Sequence, residues 1–584
     1  MAVTNPSTPS TGNCTPPRQV DGRMLQQAYP STRQSEHDAY MTKIERLALW
    51  PAIGIFLLLA HRVFVYTPDD AYITYRYAVN LAEGYGPVFN RNAPASDRTE
   101  GYSCPLFMFL MAALWKLPLG VDLVIKAKLL GICCGIALLF LSPRLAALLG
   151  MPAWARVALP VLVATHAVFV VSSVDGMETI LATLWTTWAT CRFLQEWQSQ
   201  DAGLPVFPWS GLLFAACSLT RPEGVLMGLA ALSILLIGRR GRIGRYGILW
   251  IGLFLLPVIA WWVFRLLYYG SLMPNTYYAK NVPLHLAAEK GLPYLLRTFF
   301  RFVNESLVYA AIGGLWWLLV ALGVWRMPFR TVPGIILPLC VGAQMLFAAR
   351  TGGDWMSSWR YMAPVLVLLV LLSLAGIAEI GDAIGKTPRT ATLIAIPFCI
   401  ALLGVSLWGH KDYHDRPYIG YIAWAEKRFA VRDRELLSGW MLNKAVVLSD
   451  WLNAHLPPGS EIAYSEMGVT PHLSPQLRFL DVRGLTDRGI ARLPGTRHEQ
   501  VGVTDEYINA STPVGAYLKN ERRPDYILWG LRFEGDQIPS DFTIALDRVR
   551  TQDVLDGAYE CIAAFENPPA PPGCRDVIGV YRRR

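Results

Sequence analysis

The stretch CPLFMFLMAALWKLPL, residues 104–119, decides how the rest of the chain is laid out. As a helix it reaches about 24 Å, short of the roughly 30 Å of a hydrocarbon core, and it carries Lys116 and Pro118. It reads as an interfacial segment rather than a span. Working outward, longer apolar runs lie near 45–66, 122–146, 153–172, 177–197, 205–220, 222–238, 246–266, 305–325, 331–349, 361–380 and 389–408, about eleven spans in all. An odd number puts the two ends of the chain on opposite sides of the bilayer, whereas counting 104–119 would bring them together. With the odd count the clusters GRRGRIGR (238–245), RMPFR (326–330) and GKTPR (385–389) all fall in the cytoplasm, as the positive-inside rule asks.

The expected fold class is therefore a polytopic α-helical membrane protein. Hydrophobic residues make up 53% of the 584, and the net charge of +9 sits between apolar runs, where it marks topology and contact with lipid headgroups. The bilayer is the expected partner and nucleic acid is not. Residues 1–42 are rich in Ser, Thr, Pro and Gln, have no apolar core, and read as a disordered cytoplasmic tail. Residues 43–408 form the membrane module, with 67–121 as its first extracytoplasmic loop, and 409–584 read as an extracytoplasmic α/β domain. Strand-like pieces there are EIAYSEMG (461–468), LRFLDV (477–482) and DYILWG (525–530). Cys561 and Cys574 flank a Pro-rich turn and could close a disulfide, whereas Cys133, Cys134, Cys191, Cys217, Cys340 and Cys399 lie inside apolar runs as small hydrophobes.

On this topology the polar motifs near span ends gather on the outer face. They are Asp69 and Asp70 in TPDDAYITYRYA; Glu100 in TEGYSCP; Asp175 and Glu178 in VDGMET; Arg221 and Glu223 in LTRPEG; Arg265, Asn275 and Lys280 in RLLYYGSLMPNTYYAK; and Asp354 and Arg360 in GGDWMSSWR. Charges at membrane depth are costly, so a convergent set of both signs points to a functional cavity. Each motif also has a plain structural reading. One aspartate could cap a helix over 70–83, Arg221 could pair with Glu223 across the proline break, Arg265 could snorkel, and Asp354 could pair with Arg360. Sugar transfer from a lipid-linked phosphate to a hydroxyl would need such a set: a carboxylate to take the acceptor proton and cations to hold the departing phosphate. A transporter or lipid flippase is the rival class, although its charges would be expected near the midplane of two related halves.

The segment DDAYITYRYAVNLAEGYGPVFN resembles membrane glycosyltransferases of the GT-C fold that use polyprenyl-phosphate sugars. With DGMET, TRPEG, RLLYYGSLMPNTYYAK and GGDWM in that order, residues 45–380 resemble the family of the mycobacterial cell-wall terminal β-arabinofuranosyltransferase, and LDVRGLTDRGIA (480–491) does so more weakly. Two positions depart from the pattern: Asp175 stands where the family has serine, and the spacing from GGDWM to Arg360 is one residue longer.

The resemblance implies an inverting single-displacement transferase in the bacterial inner membrane, with its site and C-terminal domain in the periplasm. It implies a polyprenyl-phosphate donor, arabinofuranose as the sugar, and a glycan, glycolipid or protein as acceptor. Asp69 would be the base and Asp70 its assistant, with Glu178, Arg221, Glu223, Arg265, Asn275, Lys280, Asp354 and Arg360 around the donor. No His/Cys spacing suggests zinc; a divalent cation shared by Asp69, Asp70 and Glu178 stays open.

Overall fold

The computed structural model describes residues 43–584 apart from 239–243, 281–282, 298–306, 331, 355–359, 386–387, 416–438, 494–511, 535–554, 556 and 567–573. The expected tail and most of the GRRGRIGR cluster thus lie outside the described residues. Residues 41–584 form one compact unit.

Helices occupy every run read as apolar. They are α1 Lys43–Arg62, α2 Asp69–Ala82, α3 Pro105–Lys116, α4 Leu123–Leu148, α5 Ala153–Thr165, α6 Ala167–Val174, α7 Thr179–Asp201, α8 Trp209–Thr220, α9 Gly224–Gly238, α10 Arg245–Tyr269, α11 Asn275–Ala279, α12 Leu284–Arg297, α13 Leu307–Arg330, α14 Ile336–Arg350, α15 Leu366–Ile384 and α16 Pro388–Asp415. Among the described residues, five helical stretches are long and apolar enough to cross a membrane, or six if one bent pair counts as a single span. That pair corrects the reading of 153–172 as one helix: α5 and α6 meet at 57°. The break falls at His166, whose backbone is extended and whose Nδ1 accepts from the Val168 amide at 3.2 Å, so the ring begins a new helix where the old one stops. The run at 205–220 is also shorter than read, since α8 has only 12 residues and α9, beyond the TRPEG break, only 15.

The core follows from composition. In α15 the sequence LVLLVLLSLAGIA is apolar on every face, and nearly every residue is buried, as expected of a helix surrounded by others. Gly323 of α13 and Gly376 of α15 let these two helices touch backbone to backbone: a Cβ on either would collide with the Leu372 or Leu319 carbonyl.

The C-terminal region carries a five-stranded sheet in the order β2-β1-β3-β5-β4, from β1 Glu461–Tyr464, β2 Arg478–Asp481, β3 Tyr526–Glu534, β4 Tyr559–Glu566 and β5 Cys574–Arg583. Strand β1 pairs in parallel with β2 and β3, while β5 runs antiparallel to β3 and β4. The three strands read from sequence are β1, β2 and β3, the members of the two parallel pairs; β4 and β5 escaped notice. The register places Cys561 opposite Tyr581. Cys574 lies seven residues earlier on β5, roughly 23 Å along the strand, so the two cysteines do not bridge. Tyr464 and Trp529, aromatic rings of a kind that could stack on sugar, are instead buried in the core.

This region docks on the segment 67–101. Arg76 of α2 is buried and donates to the carbonyls of Ser474 (3.3 Å) and Leu477 (3.0 Å), and Asn90 exchanges two hydrogen bonds of 2.9 Å with the Phe479 backbone. Residues 71–80 of α2 are all buried, so its Arg76 side is covered by protein.

Candidate active site

The acidic pair opens α2, and the chain's entry fixes it there. Pro68 is the helix N-cap and offers no side-chain bond, so neither aspartate is the cap that an isolated Asp-Asp would suggest. Instead the Asp69 carboxylate accepts from two backbone amides of the C-terminal region, Gly468 N to Oδ2 at 2.9 Å and Val469 N to Oδ1 at 2.8 Å. Burial pushes its pKa up to about 7; the nearby Glu466 carboxylate adds to this, and the Val469 and Gly468 amides oppose it. Asp70 points elsewhere: its Oδ2 lies 3.6 Å from Arg360 Nη1.

Arg360 in turn is held by Asp354, with Nε–Oδ2 at 2.8 Å and Nη2–Oδ1 at 3.3 Å, a two-point guanidinium–carboxylate contact. Beside it Arg221, at the C-terminus of α8, donates to Glu178 at 2.9 Å and to Glu223 at 2.5 Å. The Tyr361 ring lies between the two cations, 5.4 Å from Arg221 Cζ and 5.7 Å from Arg360 Cζ, a geometry in which a π face stabilises positive charge. Gln344 of α14 donates to Glu223 at 3.3 Å. Thus the loops after α1, α6, α8 and α14 bring Asp70, Glu178, Arg221, Glu223, Asp354 and Arg360 to one end of the helices. Asp175 serves the same loop by accepting from the Met177 amide at 2.8 Å.

A second group forms around Glu100. Both of its oxygens bind Arg265, the second through Nη2 at 3.2 Å, so Arg265 pairs rather than snorkels. Burial drives the pKa of Glu100 up to about 7, with the Arg265 charge opposing. Asn275 starts α11 and donates Nδ2 to the carbonyls of Gly484 (2.6 Å), Leu485 (3.1 Å) and Asp487 (3.2 Å), which makes it a clamp on the C-terminal region. Lys280, just past α11, is exposed, and its charge acts on Tyr361.

Three features were missed in the sequence. Lys128 of α4 is fully buried and donates to the carbonyls of Phe64 (2.7 Å), Tyr66 (2.6 Å) and Val174 (2.7 Å), fixing the chain ahead of the acidic pair. A lysine inside an apolar run was the available signal. Glu196 is buried in α7 and binds Ser210 and Tyr246, a second charge at depth. The third is Tyr361, whose position between two arginines no spacing reveals.

The three carboxylates considered for a shared divalent cation do not fit that role, because Asp69, Asp70 and Glu178 face Gly468–Val469, Arg360 and Arg221 respectively. Among the described residues no group of three His, Cys, Asp or Glu could hold a metal ion.

Two known proteins with related sequences carry the name terminal β-(1→2)-arabinofuranosyltransferase. The chain is 26% identical over 359 residues to the terminal β-(1→2)-arabinofuranosyltransferase of Corynebacterium glutamicum, covering 55% of this chain and 49% of that protein. It is 29% identical over 345 residues to the protein of the same name from Mycobacterium tuberculosis, covering 52% of this chain and 51% of that one. The chain therefore spans about half the length of the curated relatives it matches. Residues 437–578 match a family described as a domain of unknown function, DUF8728. The crystal structure of ArnT from Cupriavidus metallidurans bound to undecaprenyl phosphate overlays with a TM-score of 0.48 at 12% identity, covering 91% of this chain and 97% of that one.

Proposed function

We propose that the chain is a GT-C-type inverting glycosyltransferase that moves arabinofuranose from a polyprenyl-phosphate donor to an extracytoplasmic glycan, glycolipid or protein acceptor. The observation that carries this reading is the meeting of Asp70, beside the clamped Asp69, with Arg360 and Asp354, next to the Glu178–Arg221–Glu223 triad at one end of the helices. The similarity to two arabinofuranosyltransferases supports the sugar. In this account the chain crosses the inner membrane about eleven times, with its N-terminus cytoplasmic and residues 409–584 periplasmic.

In the reaction the acceptor oxygen attacks the anomeric carbon, the bond from that carbon to the phosphate oxygen breaks, and the acceptor proton passes to Asp69. The lipid phosphate leaves as the anion. Each amide takes one lone pair of the Asp69 carboxylate, which leaves others for the acceptor hydroxyl, and the raised proton affinity suits a base working near neutrality. The arginines of the first group are already matched by carboxylates, so they set the shape and local charge balance of the site. Lys280, exposed just past α11, would then be a cation free to meet the departing phosphate.

A second reading makes Asp70 the base, since both oxygens of Asp69 are engaged while the Asp70 side chain keeps 21% exposure. The test of the function is transfer from synthetic farnesyl-phosphoryl arabinofuranose to a mixed glycan panel by purified protein. Transfer of arabinose supports the proposal. Transfer only from another polyprenyl-phosphate sugar sinks the donor assignment, and transport of a lipid-linked saccharide without transfer favours the rival class.

A further inference from the structure

A shallow open cleft lies between residues 98–100, the turn after α10 and residues 488–492. Its charged lining is Arg98, Arg488, Arg492 and Glu100, and Glu100 is already bound to Arg265. The neighbouring carboxylates are diverted as well. Asp97 lies 3.4 Å from Arg478 and 3.7 Å from Arg522, while Asp487 accepts from the Ile490 amide at 2.9 Å and lies 3.8 Å from Arg522. No described carboxylate therefore pairs with the three guanidiniums of the cleft.

They are nevertheless held in place. Arg488 donates to the carbonyls of Tyr269 (3.2 Å) and Gly270 (2.7 Å), the latter offered by a left-handed turn at φ 63° that glycine adopts freely. Arg492 lies 4.9 Å over the Tyr278 ring and Arg98 4.8 Å over the Tyr268 ring. The Arg98 Nε is buried with no hydrogen-bond partner among the described residues. Burial, and after it the charge of Arg492, lower the pKa of Arg488. Oriented guanidiniums present forked donors that match an oxyanion.

The cleft stands apart from the acidic pair. Its wall at Thr99 accepts from the Tyr77 hydroxyl at 2.6 Å, and Tyr77 lies two turns, about 10 Å, along α2 from Asp70. Loops form most of it, and among the described helices long enough to span only the end of α10 contributes.

We infer that Arg98, Arg488 and Arg492 form a binding site for an anionic group, phosphate or carboxylate, on the saccharide acceptor, a sugar unit or two from the hydroxyl that reacts. This rests on the glycosyltransferase reading for the word acceptor, and the test separates the two. Titration calorimetry on the full chain in detergent uses glucose 6-phosphate, glucose and farnesyl phosphate as probes. Glucose 6-phosphate should bind with an affinity that falls with salt, glucose should not bind, and Arg492→Gln and Arg488→Gln should each weaken the sugar phosphate at least tenfold with an unchanged melting temperature. Asp69→Asn should leave this binding intact, so loss of transfer and loss of the site are read independently. Binding of glucose 6-phosphate that neither arginine variant weakens, or no binding at all, overturns the inference. It is equally overturned if the variants weaken farnesyl phosphate instead, because the cleft would then belong to the donor.

Discussion

At the end of the helices, Arg221 and Arg360 stand against Glu178, Glu223, Asp354 and Asp70, whereas Arg98, Arg488 and Arg492 share a cleft whose one carboxylate is committed to Arg265. Both regions are arginine-rich, yet their chemistry differs. A buried guanidinium costs several kcal/mol to desolvate and is kept where acceptors offset that cost, here carboxylates, so the first group is bound up with the fold itself. The cleft cations are only partly covered, Arg492 being exposed, and retain their capacity for an external anion.

That contrast can be broken at either end. Arg221→Ala would strand two buried carboxylates and should cost about 3–5 kcal/mol of stability, read as a large fall in melting temperature in detergent. If the melting temperature stays put, the triad is not structural. Gly468→Ala should lower activity together with stability, because the atom met first is the Asp69 backbone oxygen. A Cβ there would collide with the Asp69 carbonyl oxygen and Cγ, shifting the carboxylate from its amides, and kcat should fall about 100-fold. An unaltered kcat would mean that the amide clamp does not position the base.

The pH dependence sharpens the comparison further. Asp69 is raised to about 7 by burial, so kcat/KM should rise with pH and reach half its plateau near 7, a limb that Asp69→Asn removes. The same shift has a stability sign. A carboxyl raised in the folded state binds more protons there than when unfolded, so its contribution is present at low pH and is lost as pH climbs from its ordinary range through about 7. Thermal unfolding of wild type and Asp69→Asn across that window measures it. The smallest effect belongs to exposed Arg492: Arg492→Ala should change stability by less than about 0.5 kcal/mol. A larger loss would place the cleft among the structural ion pairs.

How far the sequence led can be seen motif by motif. Helix positions were legible because apolar runs of span length leave few alternatives, but α5 and α6 were read as one, since nothing in periodicity marks His166 as a break. The pairs Arg221–Glu223 and Asp354–Arg360 were legible as pairs because each is local. Glu178 joining Arg221 and Glu100 joining Arg265 were not, being contacts across 43 and 165 residues. The same limit hid the role of Asp69: its partners Gly468 and Val469 lie about 400 residues away and are backbone amides, which carry no sequence signature. The cleft was invisible for a related reason, because arginines at 98, 488 and 492 look like ordinary loop charge until the carboxylates beside them are seen to turn away.

The central claim is that the carboxylate clamped by the C-terminal region takes the acceptor proton. The most direct measurement compares kcat for wild type, Asp69→Asn and Asp70→Asn with farnesyl-phosphoryl arabinofuranose, at matched melting temperatures. The account predicts that Asp69→Asn lowers kcat by about 10²- to 10⁴-fold, the range general base catalysis supplies, and more than Asp70→Asn does. Equal turnover by Asp69→Asn and wild type would contradict it, and a larger loss in Asp70→Asn would move the base one residue along the helix.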